Sequence, residues 1–372
     1  MTPGQIALRA LIVGFIVSFA VITGFAYTTL LERKVLARLQ HRIGPNRAGY
    51  IPLPRRAGGP ERKLLAGFLQ PAADAVKLFF KEDMTPGRVD RITYMLAPML
   101  TVMPAIVLLA VIPWAGEINI FGAEFTPYFA IAPGLNVAVL FVLAITSISV
   151  YGVVLAGWAS NSKYAVLGGI RASAQMISYE LALGLTVLIP IMLANSMNMG
   201  DIVAAQSGGL LNMTNWFAFR QPIAAIVFFI GMMAELQRAP FDLLEAEQEL
   251  SAGFNVEYSG MRFGMFFMAE YMKMIIFSAI IAVLFFGGYN GPFVEQLPGL
   301  GFLYMILKIV FFLFMMIWIR ASLPRFRYDQ LMGLGWKRLL PISVFNFIFT
   351  AVLIVLYEEG IFDSLLQLLG LG

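Results

Sequence analysis

Eight long apolar stretches constrain this chain more than any other feature. Each is close to the roughly 20 residues that an α-helix needs to cross the hydrocarbon core of a bilayer. Only 13% of the 372 residues are charged, and the mean hydropathy is +0.80, which excludes a water-soluble globule. We predict an all-α polytopic membrane protein, a single integral membrane domain of about eight transmembrane helices. The predicted spans cover residues 10–31, 92–113, 134–158, 175–194, 221–238, 264–286, 301–319 and 340–357.

Basic residues predict how these helices are oriented. Of the 26 lysines and arginines, 22 lie between spans one and two, three and four, five and six, or seven and eight, whereas the other side carries only Arg9 and Arg220. Because basic loops stay in the cytoplasm, both termini are expected outside. The pI of about 9.2 is then a signal of topology, and no nucleic-acid partner is expected. The predicted cytoplasmic loops are 32–91, 159–174, 239–263 and 320–339.

The residues that are missing exclude several kinds of redox site. The chain has no cysteine and one histidine, His41, so iron–sulfur clusters and a bis-histidine haem are excluded, and no metal site is expected. It also has neither a P-loop nor a GxGxxG motif after a strand. Electrons for any redox reaction would therefore come from a partner.

The first cytoplasmic loop has a helical pattern. Apolar residues from Leu65 to Phe80 recur at helical spacing, while Asp74, Lys77 and Lys81 share another face. This pattern predicts a helix lying on the membrane surface or against the spans. The alternative is a simple interfacial anchor with solvated charges. The Pro-, Gly- and Arg-rich run at 50–67 is predicted to be an irregular basic loop.

Charged residues inside the predicted spans point to proton transfer. Glu180 lies in the fourth span, Glu235 near the end of the fifth, and Glu270 with Lys273 in the sixth. Such residues are costly in a bilayer, and proton relays are built from them. The alternative is that Glu270 neutralises Lys273, Glu235 pairs with Arg238, and Glu180 is a hydrogen-bonded packing residue.

The loop between spans five and six is acidic on a side that should be basic. Pro240 is placed to open a short helix, and like charges so close together raise one another's pKa. Such a cluster can hold protons near neutral pH, although a solvated acidic loop is the alternative. Its members are Asp242, Glu245, Glu247, Glu249 and Glu257.

The chain resembles a known protein family in five segments, which are residues 32–49, 70–83, 157–180, 234–271 and 320–341. They include ERKVLARLQHRIGPNRAG, QPAADAVKLFFKED and the long run AELQRAPFDLLEAEQELSAGFNVEYSG. The chain resembles the H-type subunit of NADH-quinone oxidoreductase, the subunit 1 family of respiratory complex I. The resemblance implies a multi-pass subunit of the cell inner membrane, in contact with lipid, other membrane-arm subunits, and the quinone-site and iron–sulfur subunits of a hydrophilic arm.

The resemblance also implies roles for individual residues. It implies that quinone is a substrate, and that FMN and iron–sulfur clusters belong to partner subunits, with no cofactor bound by this chain alone. The quinone chamber would include Glu32, Arg33, Asp74, Phe263 and Phe267. The proton path would include Glu180, Glu235, Asp242, Glu245, Glu247, Glu249, Glu257 and Glu270. Charged residues at the inter-subunit side would be Arg320, Arg325, Arg327 and Asp329. Leu244, where many members have proline, and the basic insertion before Leu69 depart from the family.

Three functions are compatible with these features. The first is a subunit of a proton-translocating NADH:quinone oxidoreductase, which forms part of the quinone chamber and the acidic path that couples quinone reduction to pumping. The second is the membrane subunit of a related energy-converting hydrogenase. The third is a passive anchor for the hydrophilic arm. Several buried carboxylates disfavour this third function, because docking alone does not require them.

Overall fold

Long helices dominate the structure, a computed structural model that describes residues 3–49, 51–52, 63–64, 67–120, 123–125, 128–208, 213–242, 253–294 and 296–359. The fold is all-α apart from two short antiparallel hairpins, β1–β2 and β3–β4. The helices are α1 Pro3–Leu39, α2 Gln70–Phe80, α3 Arg91–Leu108, α4 Ala138–Ala159, α5 Lys163–Ala194, α6 Met199–Ala205, α7 Phe217–Arg220, α8 Pro222–Glu235, α9 Gly260–Phe285, α10 Gly299–Ser322, α11 Tyr328–Leu334 and α12 Leu340–Glu358. The strands are β1 Ile51–Pro52, β2 Lys63–Leu64, β3 Ile118–Ile120 and β4 Ala123–Phe125.

Seven of the described helical segments are long and apolar enough to cross a membrane. They correspond to all the predicted spans except the fifth, which is the 14-residue helix α8. At 1.5 Å per residue α8 is about 21 Å long, less than the roughly 30 Å of the hydrocarbon core. The predicted stretch 221–238 therefore overstates this helix, because the chain leaves the helix after Glu235 and turns.

Helix α9 lies at the centre of the bundle. Every residue from Tyr271 to Phe285 is buried, and the helix packs against α1, α3 and α10. The most apolar windows of α1 and of the segment Tyr328–Glu358, which includes α12, are buried to a far smaller extent. A helix that is apolar on all sides is suited to such a position, and a charge on it must face other helices.

Helices α4 and α5 approach each other closely at a glycine pair. A Cβ atom added to Gly157 would lie 2.6 Å from the carbonyl oxygen of Ala165 and 3.2 Å from the Cα of Gly169. Only glycine leaves room for this contact, which brings the polar residues of the two helices into register.

The predicted cytoplasmic loops contain more helix than expected. Helix α5 begins at Lys163, so most of segment 159–174 is helical, and its 32 residues span about 48 Å, which exceeds the hydrocarbon thickness. The predicted helix in the first loop is confirmed as α2, which contacts α1 and α9 and has no fully buried residue. Within the basic run 50–67, the described pieces form β1 and β2. No helix begins at Pro240, because residues 236–242 form turns.

Candidate functional site

Four charged side chains from separate parts of the chain meet beside the end of α1. Glu32 accepts from Arg238, with Nη1 and Oε1 3.3 Å apart, and also from Arg320 of α10. Arg238 Nε in turn lies 2.7 Å from Oε1 of Glu270 on α9. We call Glu32, Arg238, Glu270 and Arg320 the arginine–carboxylate cluster.

Arg238 is the centre of this cluster. Its guanidinium is buried, and its Cζ lies 4.3 Å from the ring centroid of Tyr271, a cation–π distance. The turn that carries it is held to α5 by Gln175, whose Nε2 donates to the carbonyls of Ala234 (2.8 Å) and Phe241 (3.0 Å). The expected pair between Arg238 and Glu235 is wrong, because Arg238 leaves the helix with the turn and pairs with Glu32 and Glu270.

One turn further along α9, Lys273 enters the interior. It is buried, and its Nζ donates to Ser149 Oγ on α4 at 2.8 Å, rather than pairing with Glu270 as the neutralisation alternative required. Glu270, Lys273 and Glu235 line one cavity of about 60 Å³. A cavity of this size holds water when polar groups line it.

Glu235 also lines a second cavity. The second cavity, of about 20 Å³, is lined by Glu235, Thr146 and Glu180, and otherwise mostly by apolar side chains. Glu235 is buried, and within the described residues its Oε2 atom has no hydrogen-bond partner. Because buried carboxylate oxygens normally have a partner, this atom is positioned for a water molecule or a proton.

Glu180 stands at the far end of the second cavity. It accepts a hydrogen bond from Ser147 Oγ of α4. Glu180 therefore has a fixed hydroxyl partner, as the packing alternative expected, and it also faces the cavity. Glu270, Lys273, Glu235 and Glu180, which we call the carboxylate line, connect the arginine–carboxylate cluster to the interior of α5.

Asp242 forms a separate ion pair, in which only the carboxylate is buried. Its Oδ2 lies 3.2 Å from Arg325 Nη2, and the side chain of Asp242 is almost fully buried whereas Arg325 is half-exposed. The backbone N–H of Phe326 donates to Pro240 O at 3.0 Å, which fixes the same turn against the segment after α10. The turn that carries Arg238 therefore also carries Asp242.

Arg33 and Asp74 link α1 to the surface helix α2. Arg33 Nη1 lies 2.7 Å from Asp74 Oδ2, and Gln70 Nε2 donates to Asp74 Oδ1 at 3.2 Å. The Arg33 side chain is 51% exposed, so this pair lies at the surface of the subunit, next to the buried Glu32.

An aromatic row follows α9 toward the arginine–carboxylate cluster. The ring centroids of Phe263 and Phe267 are 4.8 Å apart, and those of Phe267 and Tyr271 are 6.3 Å apart. Phe25 of α1 contacts the same Tyr271, with centroids at 6.3 Å. The two predicted chamber phenylalanines thus belong to one apolar wall.

Other predicted site residues lie elsewhere. Glu257 is half-buried and lines neither cavity, although its carbonyl oxygen accepts from Tyr94 Oη at 2.6 Å. Arg327 and Asp329 form an exposed pair at 3.2 Å. Glu245, Glu247 and Glu249, with Leu244 and most of the predicted short helix, fall outside the described residues.

Several members of the site cannot be identified from the sequence. The sequence indicates Arg238 only as a partner for Glu235, and it does not distinguish Ser147, Ser149 or Tyr271. The only signal for Arg238 is its position directly after an apolar helix. A hydroxyl group on an apolar helix gives no signal by itself. Among the described residues, no group of three or more His, Asp or Glu side chains could hold a metal ion.

Comparison with known proteins gives a consistent result. Residues 12–351 match the family described as NADH dehydrogenase. The chain is 46% identical over 339 residues to the second H-type subunit of NADH-quinone oxidoreductase of Geobacter metallireducens, covering 89% of this chain and 91% of that one. It is 45% identical over 339 residues to the H-type subunit of Thermomicrobium roseum, with 90% and 93% coverage. For NADH-quinone oxidoreductase subunit 8 of Rhodothermus marinus the identity is 45% over 360 residues, with 93% and 97% coverage.

Proposed function

The chain belongs to the NADH dehydrogenase family, as a membrane subunit of the H type in NADH-quinone oxidoreductase, and from this premise we propose how it contributes to the complex. It forms one wall of the quinone chamber, and it carries the proton path that couples quinone reduction to pumping. The observation that carries this proposal is the carboxylate line, which runs from the arginine–carboxylate cluster along two cavities that both have Glu235 in their walls.

The chamber side is supported by the aromatic row and by the charged cluster beside it. Phe263 and Phe267 offer an apolar wall suited to a quinone ring or its tail, and most ligand pockets combine such walls with a few polar groups. Glu32, Arg33 and Asp74 supply the polar groups at the rim. Reduction of a quinone adds charge and takes up protons, and charged groups at this place respond to both changes.

The path side is supported by the chemistry of the carboxylate line. A relay needs groups that accept and release protons in turn, with water or hydroxyls between them. Glu235 Oε2 faces cavity space without a hydrogen-bond partner among the described residues, Ser147 binds Glu180, and Ser149 binds Lys273. Asp242 and Glu257, with Glu245, Glu247 and Glu249 in the adjoining loop, are proposed as further members on the chamber side.

The proposed surroundings follow from the same role. The subunit lies in the cell inner membrane with both termini outside, and it contacts lipid and other membrane-arm subunits. The quinone-site and iron–sulfur subunits of the hydrophilic arm supply electrons from FMN and iron–sulfur clusters, because this cysteine-free chain has no thiolate ligand for a cluster. The buried carboxylates disfavour the passive-anchor alternative.

Glu180→Gln tests the path in the reconstituted complex. Glutamine keeps the shape and the hydrogen bond to Ser147 but cannot titrate, so we expect at least a fivefold loss of quinone-coupled proton pumping with normal assembly. Glu180→Asp should retain part of the pumping. Wild-type rate and proton-to-electron ratio in Glu180→Gln would make Glu180 a packing residue.

Arg33→Ala and Asp74→Asn test the chamber. Each should slow NADH oxidation by quinone severalfold, while electron transfer from NADH to a hydrophilic artificial acceptor, which draws from the partner arm, stays unchanged. Normal quinone kinetics in both variants would remove the pair from the chamber. If the purified wild-type complex accepted neither NADH nor quinone, the hydrogenase alternative would replace the proposal.

A further inference from the structure

Two amide side chains that the proposed path does not use line its larger cavity. Gln237 and Asn255 both lie in the wall of the cavity of about 60 Å³ that Glu235 and Glu270 also line. Gln237 belongs to the turn after α8, and Asn255 ends the short helical turn before α9. The two amides therefore reach one cavity from two separate segments of the chain.

Each amide has one buried atom without a hydrogen-bond partner among the described residues. These atoms are the Nε2 atom of Gln237 and the Oδ1 atom of Asn255, and the Oε2 atom of Glu235 in the same wall is in the same state. Buried polar atoms are nearly always hydrogen-bonded, either to protein or to ordered water. One amide donor, one amide acceptor and one carboxyl oxygen therefore favour an occupant that both accepts and donates hydrogen bonds.

The backbone of Gln237 gives an independent observation. Its φ of 54° is left-handed, and the turn closes through its own N–H to Ala234 O at 3.2 Å and through the N–H of Arg238 to Met233 O at 3.3 Å. Glycine is the usual residue at this position of a helix end, because a side chain costs conformational energy there. The turn itself does not need the glutamine side chain, which lines the cavity instead.

The groups in the wall select water as the occupant. A metal cation is disfavoured, because the ammonium group of Lys273 already places a positive charge there and Gln237 offers an N–H group. An apolar ligand is disfavoured, because it would leave these polar atoms without partners. Water has two donors and two acceptors, and a buried water molecule typically makes two to four hydrogen bonds, so it can bind Gln237 and Asn255 together.

We infer that Gln237 and Asn255 are positioning residues that hold an ordered water molecule between Glu270 and Glu235. The inference rests on the proposed proton path and adds the step by which a proton crosses the larger cavity. Gln237 takes one lone pair of the water and Asn255 takes one O–H, which leaves one lone pair and one O–H for the two carboxyl groups. The water accepts a proton from one carboxyl group and gives its other proton to the other carboxylate. One proton crosses, and the water keeps its composition.

An experimental structure of the whole complex, at a resolution that shows ordered water, tests the site directly. We expect a water molecule at hydrogen-bonding distance, about 2.7–3.2 Å, from Gln237 Nε2 and Asn255 Oδ1. Gln237→Met should lose it. The matched control Asn346→Leu should keep it, because Asn346 of α12 also has a buried amide nitrogen without a described partner but lines neither cavity. No water there in the wild type, or a cation bound only by oxygen atoms, would overturn the inference.

The proton-to-electron ratio of the assembled complex separates positioning from a structural effect. Gln237→Met and Asn255→Leu keep the approximate size of each side chain but remove the amide, so each should lower the ratio at least threefold. Since both amides hold the same water, the double variant should fall little below the weaker single variant. Gln237→Asn keeps an amide and suits a left-handed backbone, so it should retain at least half of the ratio. NADH oxidation by a hydrophilic acceptor should be unchanged.

The outcomes distinguish this inference from the proposed path. If Glu180→Gln loses pumping while Gln237→Met and Asn255→Leu pump as the wild type does, the path stands and the inference is overturned. If none of the three variants loses pumping, both the path and the inference fail. An equal loss in Asn346→Leu would reveal a general packing effect and would also overturn the inference.

Discussion

Lys273 and Lys308 both lie well inside apolar helices of this protein, and their surroundings differ in kind. Lys308 of α10 donates to three carbonyl oxygens just beyond α9, those of Phe286 (2.7 Å), Gly288 (2.6 Å) and Asn290 (2.7 Å). Its Nζ also lies 4.5 Å from the ring centroid of Trp216. Among the described residues, Lys273 of α9 has one hydrogen bond, to Ser149, and it lines a cavity with Glu235 and Glu270.

The comparison separates a structural charge from one available for transfer. An ammonium group has three N–H donors, and Lys308 uses all three on backbone atoms that cannot titrate. Lys273 instead lines a cavity large enough for water together with two carboxylates, so its proton and its field can both act on them. Burial alone therefore does not identify a functional charge, whereas the kind of partner does.

The largest expected effect follows replacement of Lys273. Lys273→Met keeps the length of the side chain but removes the cation from the carboxylate line, so we expect at least a tenfold loss of quinone-coupled proton pumping in the reconstituted complex. NADH oxidation by a hydrophilic acceptor should be unchanged. Lys308→Met is the matched control. An equal loss of pumping per assembled complex in both variants would contradict the distinction between a structural Lys308 and a functional Lys273.

The next effect is on stability and concerns Lys308. Lys308→Met leaves three carbonyl oxygens without their donor, and a buried group that loses its partner costs about 1–3 kcal/mol. We expect the subunit to lose about 3 kcal/mol or more, measured as a lower midpoint in thermal and detergent denaturation of the complex. Activity per assembled complex should stay within twofold of the wild type. A severalfold fall in that activity would give Lys308 a functional role.

A smaller effect is expected at the partner of Lys273. Ser149→Ala removes the hydroxyl that orients the ammonium group but leaves its charge, so coupled pumping should fall about two- to fivefold. The matched control is Ser278→Ala, since Ser278 is equally buried in α9 and donates only to Met274 O of its own helix. The same rates in both variants would show that Ser149 does not position Lys273.

The smallest effect concerns the ring beside Lys308. Trp216→Phe keeps an aromatic face but weakens its attraction for a cation, so stability should fall by about 1 kcal/mol. Trp158→Phe, at a tryptophan that is 72% exposed, should leave the denaturation midpoint unchanged. If the two substitutions lowered the midpoint equally, the contact with Lys308 would contribute nothing.

Hydropathy was sufficient to find the long helices but not all their ends. Residues 163–174 have the composition of a loop, because they contain Lys163, Arg171 and two adjacent glycines. In the structure those glycines allow close packing, Gly168 against Gly253 and Gly169 against Gly157. Tertiary contact thus supports a helix that local composition does not indicate.

The candidate site was predictable by residue type, and much less by pairing. A carboxylate in an apolar helix stands out in any sequence, so Glu180, Glu235 and Glu270 were found. The partners of Glu32 are 206 and 288 residues away, and no local spacing reveals them. The i, i+3 spacing of Glu235 and Arg238 indicated the wrong pair, since the helix ends between them.

The four charges of the arginine–carboxylate cluster also cancel one another. Two guanidiniums and two carboxylates sum to zero when all four are ionised, so at rest the cluster projects little field. A single proton taken up by Glu32 or Glu270 would leave one uncompensated positive charge in the cluster, and Lys273 follows Glu270 by only one turn of α9. Like charges repel more strongly in a buried, weakly polar environment than they do in water. One protonation at the proposed chamber wall would thus change the electrostatic potential inside the bundle without any helix having to move.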